Sequence, residues 1–429
     1  MFARPLGKLL AKVRTAPARA AFRLLALVNA ARARRAPAPD TRTVRILLLH
    51  AYGMGGTIRT VFNLAGYLAR ERDVEIISAV RTAEQPFFEV PPGVRVRFLD
   101  DRTRPAGWLG RLLSRFPSRF VPDDENARHS FTLWTELRLI ACLRSMRGGV
   151  VIATRPAFTL ITSLFAPPEV ITIGQEHVTL KVHSPAMRAL FKRRYGRFDA
   201  FLTLTEADRE QYAKLLRNDP PARLLRMPNA IHELDGGVSM LEEKTAVSIG
   251  RLVYAKGFDR LVNAWKVVAE AHPDWVLRIY GDGTQERRER LQARIDDAGL
   301  SGKIFLMGST ANVGVQLAKS SIYVVSSRYE GFGMTILEAM SKGLPVVSFD
   351  CPNGPREIIT DGHDGLLITS KKAADLGAGI CRLIEDEELR HKLGENALRT
   401  VTRYDLDAVG AQWDELLADL ETRRSLGLR

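Results

Sequence analysis

Cysteine is scarce in this 429-residue sequence: Cys142, Cys351 and Cys381 are all there is, far apart and outside any CxxC spacing. That excludes a disulfide framework and a cysteine-ligated zinc site, and it fits a reducing, cytoplasmic setting. Long apolar runs are missing too. The longest candidate, residues 24–31, falls well short of the roughly 20 residues that a membrane span needs. Heptad arrays and short repeats are absent, which removes coiled coils and solenoids. Acidic residues are missing from the start of the chain: residues 1–39 hold nine cations and no Asp or Glu. Of the net charge of +14, nine charges sit in that arm, leaving +5 for the remainder.

In the arm, Leu6, Leu9, Leu10 and Val13 share one helical face and Lys8, Lys12 and Arg14 lie off it, the pattern of a helix resting on an anionic membrane surface through residues 1–35. A solvated arm and an organelle-type presequence share this composition. From residue 44 short apolar runs alternate with longer helical ones, the signature of parallel strands joined by crossover helices. Strands are expected at 44–50, 74–80, 94–99, 149–153, 170–176 and 200–204, with a strand running out into a glycine-ended connection over 226–237. The alternation then restarts with five strands, at 246–250, 276–281, 303–308, 321–327 and 345–349. Helices are expected at 58–70, 257–271, 284–298, 333–342, 371–402 and 405–423. The reading is an α/β chain of two Rossmann-like doubly wound domains. Residues 1–40 are an extension, 41–235 a first domain, 236–404 a second, and the helix of 405–429 packs back on the first.

In open parallel sheets ligands bind beyond the carboxyl ends of strands, so the loops that follow strands carry the chemistry. After the first strand comes AYGMGGTIRT, whose Gly55 and Gly56 let backbone N–H groups approach an anion at a helix start. After 246–250 comes GRLVYAKGFD, with Arg251 and Lys256 five residues apart at the sheet's mouth, a spacing suited to one diphosphate. After 321–327 comes RYEGFGMTILEAM, which places Glu330 before a glycine turn and Glu338 on the helix that follows. Carboxylates there can accept hydrogen bonds from sugar or ribose hydroxyls, or Glu330 can serve as an N-cap and Glu338 as a surface residue. His177 ends a strand of the first domain, where it faces the expected cleft.

These residues resemble the retaining glycosyltransferases of family 4, with the GT-B architecture, from about residue 44 to the C-terminus. EGFGMTILEAMSKGLPVV looks like the family's paired-glutamate signature, GRLVYAKGFD like its donor-phosphate loop and GMGGTIR like its first-domain glycine loop. The resemblance implies that Arg251 and Lys256 neutralise a nucleotide diphosphate and that Glu338 holds the ribose. Glu330 and the backbone of Gly331, Phe332, Gly333, Met334 and Thr335 would position the donor sugar, with His177 beside it. Gly55 and Gly56 would close over the phosphates, and Gly281, Gly283 and Met307 would line the nucleotide pocket. Arg59 and Lys181 are the candidate acceptor contacts. FDCPNGPREII (349–359) departs from the family's usual glycine-rich stretch and looks like a subgroup acting on polysaccharides and teichoic-type polymers with UDP-sugars.

The expected activity is therefore transfer of a hexose or N-acetylhexosamine from a UDP-sugar to a hydroxyl acceptor, polymeric or lipid-linked, in cell-envelope synthesis. No cofactor or metal is expected, since two cations can take a divalent ion's place, and the location would be cytoplasmic or peripheral on the inner membrane face. Alternatives are an inositol-phosphate or phosphatidylinositol-type glycosyltransferase using another nucleotide sugar, and a nucleic-acid-binding protein. The last is prompted by SRFPSRF (114–120) and FKRRYGRF (191–198), where aromatics interleave with cations, and is disfavoured by the strand-end motifs. Asp405 and Asp407 read as helix-capping residues, and Asp123, Asp124 and Glu125 as a solvated acidic loop.

Overall fold

A computed structural model of the protein describes residues 42–428; the basic arm, with its expected membrane-resting helix, lies outside the described residues. Two parallel sheets make up the architecture. The first contains β1 (Thr43–Leu48), β2 (Asp73–Arg81), β3 (Val94–Asp101), β4 (Val150–Ala153), β5 (Ile171–Glu176), β6 (Ala200–Thr203) and β7 (Arg223–Arg226), in the order β3-β2-β1-β4-β5-β6-β7. The second contains β8 (Thr245–Ile249), β9 (Val276–Tyr280), β10 (Ile304–Gly308), β11 (Ile322–Val325), β12 (Val346–Phe349) and β13 (Gly365–Ile368), in the order β10-β9-β8-β11-β12-β13.

The apolar runs that predicted strands do so because both faces are covered. β4 and β11 are buried at every position, as parallel strands sandwiched between helices must be. Along β1 the side chains alternate. Val44, Ile46 and Leu48 enter one core and Leu47 the other, on the opposite face of the sheet. The second sheet repeats the device, with Ile322 and Val324 on one side and Tyr323 and Val325 on the other.

In each sheet the strand order reverses between the first strand and the fourth, so the crevices lie between β1 and β4 and between β8 and β11. Ligands bind at such switch points, beyond the carboxyl ends of the strands.

The final helix, Leu406–Ser425, returns to the first sheet. Val409, Trp413, Leu416, Leu417 and Leu420, the face expected to need a partner, enter the core formed by Val61, Leu64, Leu68 and β1. Gly410 permits the contact: a Cβ there would lie 2.3 Å from the Tyr67 ring. Polar ties flank this seam, with Tyr67 donating to Asp414 at 2.8 Å, Arg72 to Glu421 at 2.7 Å and Arg223 to Asp419 at 2.8 Å.

Four details depart from the sequence reading. β7 lies at Arg223–Arg226, ahead of the 226–237 connection, because hydrogen bonding to β6 ends at Arg226. A sixth strand, β13, completes the second sheet; its four residues give too short a pattern to stand out. The expected helix at 371–402 is two helices, Ala373–Glu385 and Glu387–Val401, since Asp386 leaves helical geometry and its side chain caps the N–H of Leu389 at 2.9 Å. Asp405 precedes the last helix without a side-chain capping bond, and Asp407 pairs with Arg70 instead.

Trp413 is 1% exposed. Trp413→Ala is expected to cost about 3–5 kcal/mol, seen as an earlier urea transition of the first sheet and loss of protease resistance at the C-terminus, whereas Trp413→Phe retains most of the stability.

Candidate active site

The loops that leave both switch points converge. On the first sheet, the loop after β1 carries Gly55 and Gly56 to the start of the helix Gly56–Leu68, which has no side-chain cap and no acid in its first turn. Its leading N–H groups therefore remain available to an anion. Thr154, after β4, anchors this corner by donating to the Leu47 carbonyl at 2.6 Å. These loops, with Glu176, His177, His183 and Arg251 from across the cleft, line a cavity of about 460 Å³.

On the second sheet, the loop after β8 folds onto the loop after β9. Gly250 N–H donates to Tyr280 and Leu252 N–H to Asp282, at 2.9 and 2.8 Å. A Cβ on Gly281 would lie 1.9 Å from the Gly250 carbonyl, and one on Gly283 would lie 2.8 Å from Leu252. Both glycines are thus required by the loop crossing that presents Arg251. Gly257, at φ 64°, lets the same loop turn under the Ser326 carbonyl, 2.2 Å from where a Cβ would sit.

Arg251 is exposed and has no ion-pair partner among the described residues, and it reaches the cavity wall. Lys256 is different. Its Nζ donates to Glu330 Oε1 at 2.7 Å, and Ser327 Oγ donates to the same oxygen at 2.5 Å. Glu330 is buried and is held by this pair, so neither the N-cap reading nor a free carboxylate describes it. Phe332 is a core residue against Tyr404, which leaves only its backbone to the cleft. Gly333, at φ 106°, starts the helix Met334–Met340, and Thr335 follows beside Tyr323. Met307 is largely exposed at the end of β10.

Beside the cavity the backbones of the two halves come close: a Cβ on Gly331 would lie 2.8 Å from the His177 carbonyl. Across this seam Arg59 and Glu338 influence each other electrostatically. Burial pushes the Glu338 carboxyl up to about 7, against the opposing pull of Arg59 and Lys256. Burial also lowers the Arg59 guanidinium, which stacks over Phe88 at 4.9 Å. His177 has both ring nitrogens buried without a hydrogen-bond partner, and burial lowers it to about 4, so its imidazole is neutral at physiological pH. An unpartnered neutral imidazole on a cavity wall is ready to hydrogen-bond a ligand hydroxyl. Lys181 is not in this cavity; it borders a second groove of about 850 Å³ with Asn353, Arg356 and Lys371.

Several cavity residues escaped the sequence reading. Glu125 is buried and pairs with Arg155 at 2.7 Å, contrary to the expected solvated loop, although Asp123 is exposed as expected. Glu176 accepts from Tyr212 at 3.2 Å and lies 3.3 Å from His183. Burial works to lower His183, yet the Glu176 carboxylate outweighs it and raises the imidazole. Arg155 and Glu176 stand at the ends of β4 and β5, so the strand-end rule applied to every strand would have found both. Among the described residues no group of His, Cys, Asp or Glu is arranged to hold a metal ion, and no helix is long and apolar enough to cross a membrane.

This architecture is the GT-B fold, two Rossmann-like sheets facing across a cleft. Residues 237–400 match the family described as glycosyl transferases group 1. An exopolysaccharide phosphotransferase of Streptomyces coelicolor is 35% identical over 394 residues, which is 89% of this chain and 41% of that protein. A poly(glycerol-phosphate) alpha-glucosyltransferase of Bacillus subtilis is 31% identical over 51% of this chain and 32% of its own length. The chain thus spans less than half of each of these two relatives. Among solved structures, TarM of Staphylococcus aureus in complex with fondaparinux, alpha-GlcNAc-glycerol and UDP superposes with a TM-score of 0.69 at 16% identity, covering 88% of this chain and all of that one.

The raised Glu338 sets a pH dependence. Between its ordinary value and about 7 the folded carboxyl keeps a proton that the unfolded chain releases, so this group lowers stability as pH rises through that window. Glu338→Gln is expected to melt higher than the parent at pH 8, with the gap closing towards pH 4.5, in thermal melts of the ligand-free protein.

Proposed function

We propose that the chain is a retaining glycosyltransferase that moves a hexose or N-acetylhexosamine from a UDP-sugar to a hydroxyl acceptor of a cell-envelope polysaccharide or teichoic-type polymer. The observation that carries this reading is the meeting of Arg251 from the second sheet with the uncapped Gly55–Gly56 helix start and His177 of the first in one cavity, with the Lys256–Glu330 pair on the same loops as Arg251 and Gly331, and Glu338 under the influence of Arg59 and Lys256. The second domain, 236–404, binds the nucleotide sugar, and the first, 41–235 with the returning helix, binds the acceptor. The name of the Bacillus protein supports the polymer class, and the UDP bound to the Staphylococcus protein supports the nucleotide.

In this reading the acceptor oxygen attacks the anomeric carbon on the face from which UDP departs, the C–O bond to the β-phosphate breaks, and the acceptor proton passes to the leaving phosphate. Negative charge grows on that phosphate. Arg251, with no ion-pair partner among the described residues, and Lys256, held by Glu330, meet it there with positive charge. The N–H groups at Gly55 and Gly56 add dipoles from the opposite domain. Glu330, held in place by Lys256 and Ser327, accepts a hydroxyl of the donor sugar, and Glu338 accepts the ribose hydroxyls. His177 in its neutral form hydrogen-bonds the transferred sugar, Arg59 contacts the acceptor, and the two cations do the charge neutralisation that a divalent ion does elsewhere.

Arg251→Ala is the cleaner test, because the side chain is exposed and unpaired and its loss leaves the fold intact. Turnover is expected to fall on the order of 10²–10³-fold, read by release of UDP with acceptor polymer present. Unchanged turnover overturns the assignment, and release of UMP in place of UDP indicates sugar-phosphate transfer. In a thermal-shift panel, UDP-glucose or UDP-N-acetylglucosamine is expected to stabilise the protein and GDP-mannose is not.

A further inference from the structure

Two segments interleave aromatics with arginines, and the fold treats them in opposite ways. In residues 191–198 the aromatics are interior: Phe191, Tyr195 and Phe198 are buried, and Phe191 and Tyr195 stack at 4.4 Å. In residues 102–122 Phe120 packs edge-on to Phe165 at 5.3 Å, but the other two aromatics face outward. Trp108 is 73% exposed and Phe116 51%, and Leu109, Leu112 and Leu137 beside them are also exposed. Single exposed apolar residues are ordinary, but a contiguous group with a tryptophan marks an interaction surface.

The segment is held in this posture by its packing. The short helix Trp108–Leu113 sets Gly110 close against Trp134, where a Cβ would lie 3.3 Å from that ring. Trp108, Leu109 and Leu112 are thereby turned away from the body. The following turn is fixed by Glu136, whose buried carboxylate accepts from Ser118 Oγ and from the N–H groups of Arg119 and Phe120. The apolar side chains are presented by a fixed loop.

Charge supplies the partner's identity. Residues 102–122 contain five arginines and no acid. Arg104, Arg111, Arg115 and Arg119 are exposed and have no side-chain ion pair among the described residues. The flanking acids, Asp101 and Asp123, are taken by Arg81 and Arg128. We propose that this face docks on an anionic lipid bilayer, with Trp108, Leu109, Leu112 and Phe116 entering the headgroup boundary and the arginines meeting lipid phosphates. Amphipathic interfacial segments bind in this way, by buried apolar area plus attraction to anionic headgroups. Three aliphatic leucines in the patch favour lipid over nucleic acid, whose bases stack on aromatics and gain little from leucine. Past the patch the chain runs directly to Asp124, Glu125 and Asn126 in the wall of the cleft cavity. A bilayer on this face would deliver a membrane-tethered acceptor beside the site.

The test uses the full chain with vesicles of phosphatidylglycerol and phosphatidylcholine, and with phosphatidylcholine alone. Flotation is expected with the anionic vesicles and to weaken with salt. Brominated lipid is expected to quench tryptophan fluorescence, and Trp108→Phe, a change at an exposed site, is expected to remove most of that quenching. Arg111→Glu with Arg115→Glu, and separately Leu109→Gln with Leu112→Gln, are expected to weaken vesicle binding roughly tenfold or more, with unchanged circular dichroism. Flotation that persists without quenching of Trp108 assigns the attachment to the N-terminal arm and overturns the proposal. So does absence of vesicle binding, a self-associated species that the leucine variant dissolves, or RNA binding that competes with none of the lipid effects.

Discussion

A single carboxylate, Glu357, ties the two sheets together at the root of the cleft. It receives the guanidinium of Arg226, at the end of β7, and the backbone N–H of Glu206 at 3.1 Å, while its own carbonyl accepts from Tyr404 at 3.0 Å. Tyr404 in turn accepts from Ile231 N–H at 2.8 Å and stands just before the returning helix. First sheet, second sheet and crossing helix therefore meet at one charge-assisted node, stronger than neutral contacts would be. Every distance across the cleft is measured from this corner, including the approach of Gly331 to His177.

Given that corner, close backbone approach decides what the loops can present. Gly250, Gly281 and Gly283 let two loops cross with no side chain between them, and the crossing lifts Arg251 into the cavity. Gly354 does the same below Glu330: a Cβ there would lie 2.5 Å from the Phe332 carbonyl and 2.6 Å from Glu330 Cβ. Asn353 takes a left-handed conformation, φ 82°, and donates to Thr179 of the first sheet at 2.7 Å. The CPNG stretch that departs from the usual glycine-rich pattern is thus a second bridge between the sheets. Electrostatics then divides the acids. Glu330 accepts from Lys256 and Ser327, whereas Glu338, with no side-chain hydrogen bond among the described residues, is pushed up by burial.

How much was legible in the residues follows from how local each signal is. Alternating apolar runs announced eleven strands, since burial on both faces leaves a run of Val, Ile and Leu whatever the topology. The ends of elements were less legible: Asp386 split a helix by capping its neighbour, a contest between side chain and backbone that periodicity does not register. Arg251, Lys256 and Glu330 stood out because each follows a strand near glycines, and Glu338 because it sits on the helix that such a glycine turn starts. Arg155 and Glu176 carried the strand-end signal without a glycine loop to mark them, and Glu125 carried none, because its pairing with Arg155 joins residues 30 positions apart.

The sequence alone determined the fold class, the alternation of the two sheets and the strand-end loops, because these depend on periodicity and on backbone freedom at glycine, both local properties. Only the tertiary structure decided the rest. It paired Lys256 with Glu330, left Arg251 free, buried the rings of residues 191–198 and exposed those of 108–116. Two segments alike in composition were separated in this way because burial depends on which neighbours the rest of the chain brings: the helix of Trp108 lays Gly110 against Trp134 and leaves Trp108 exposed.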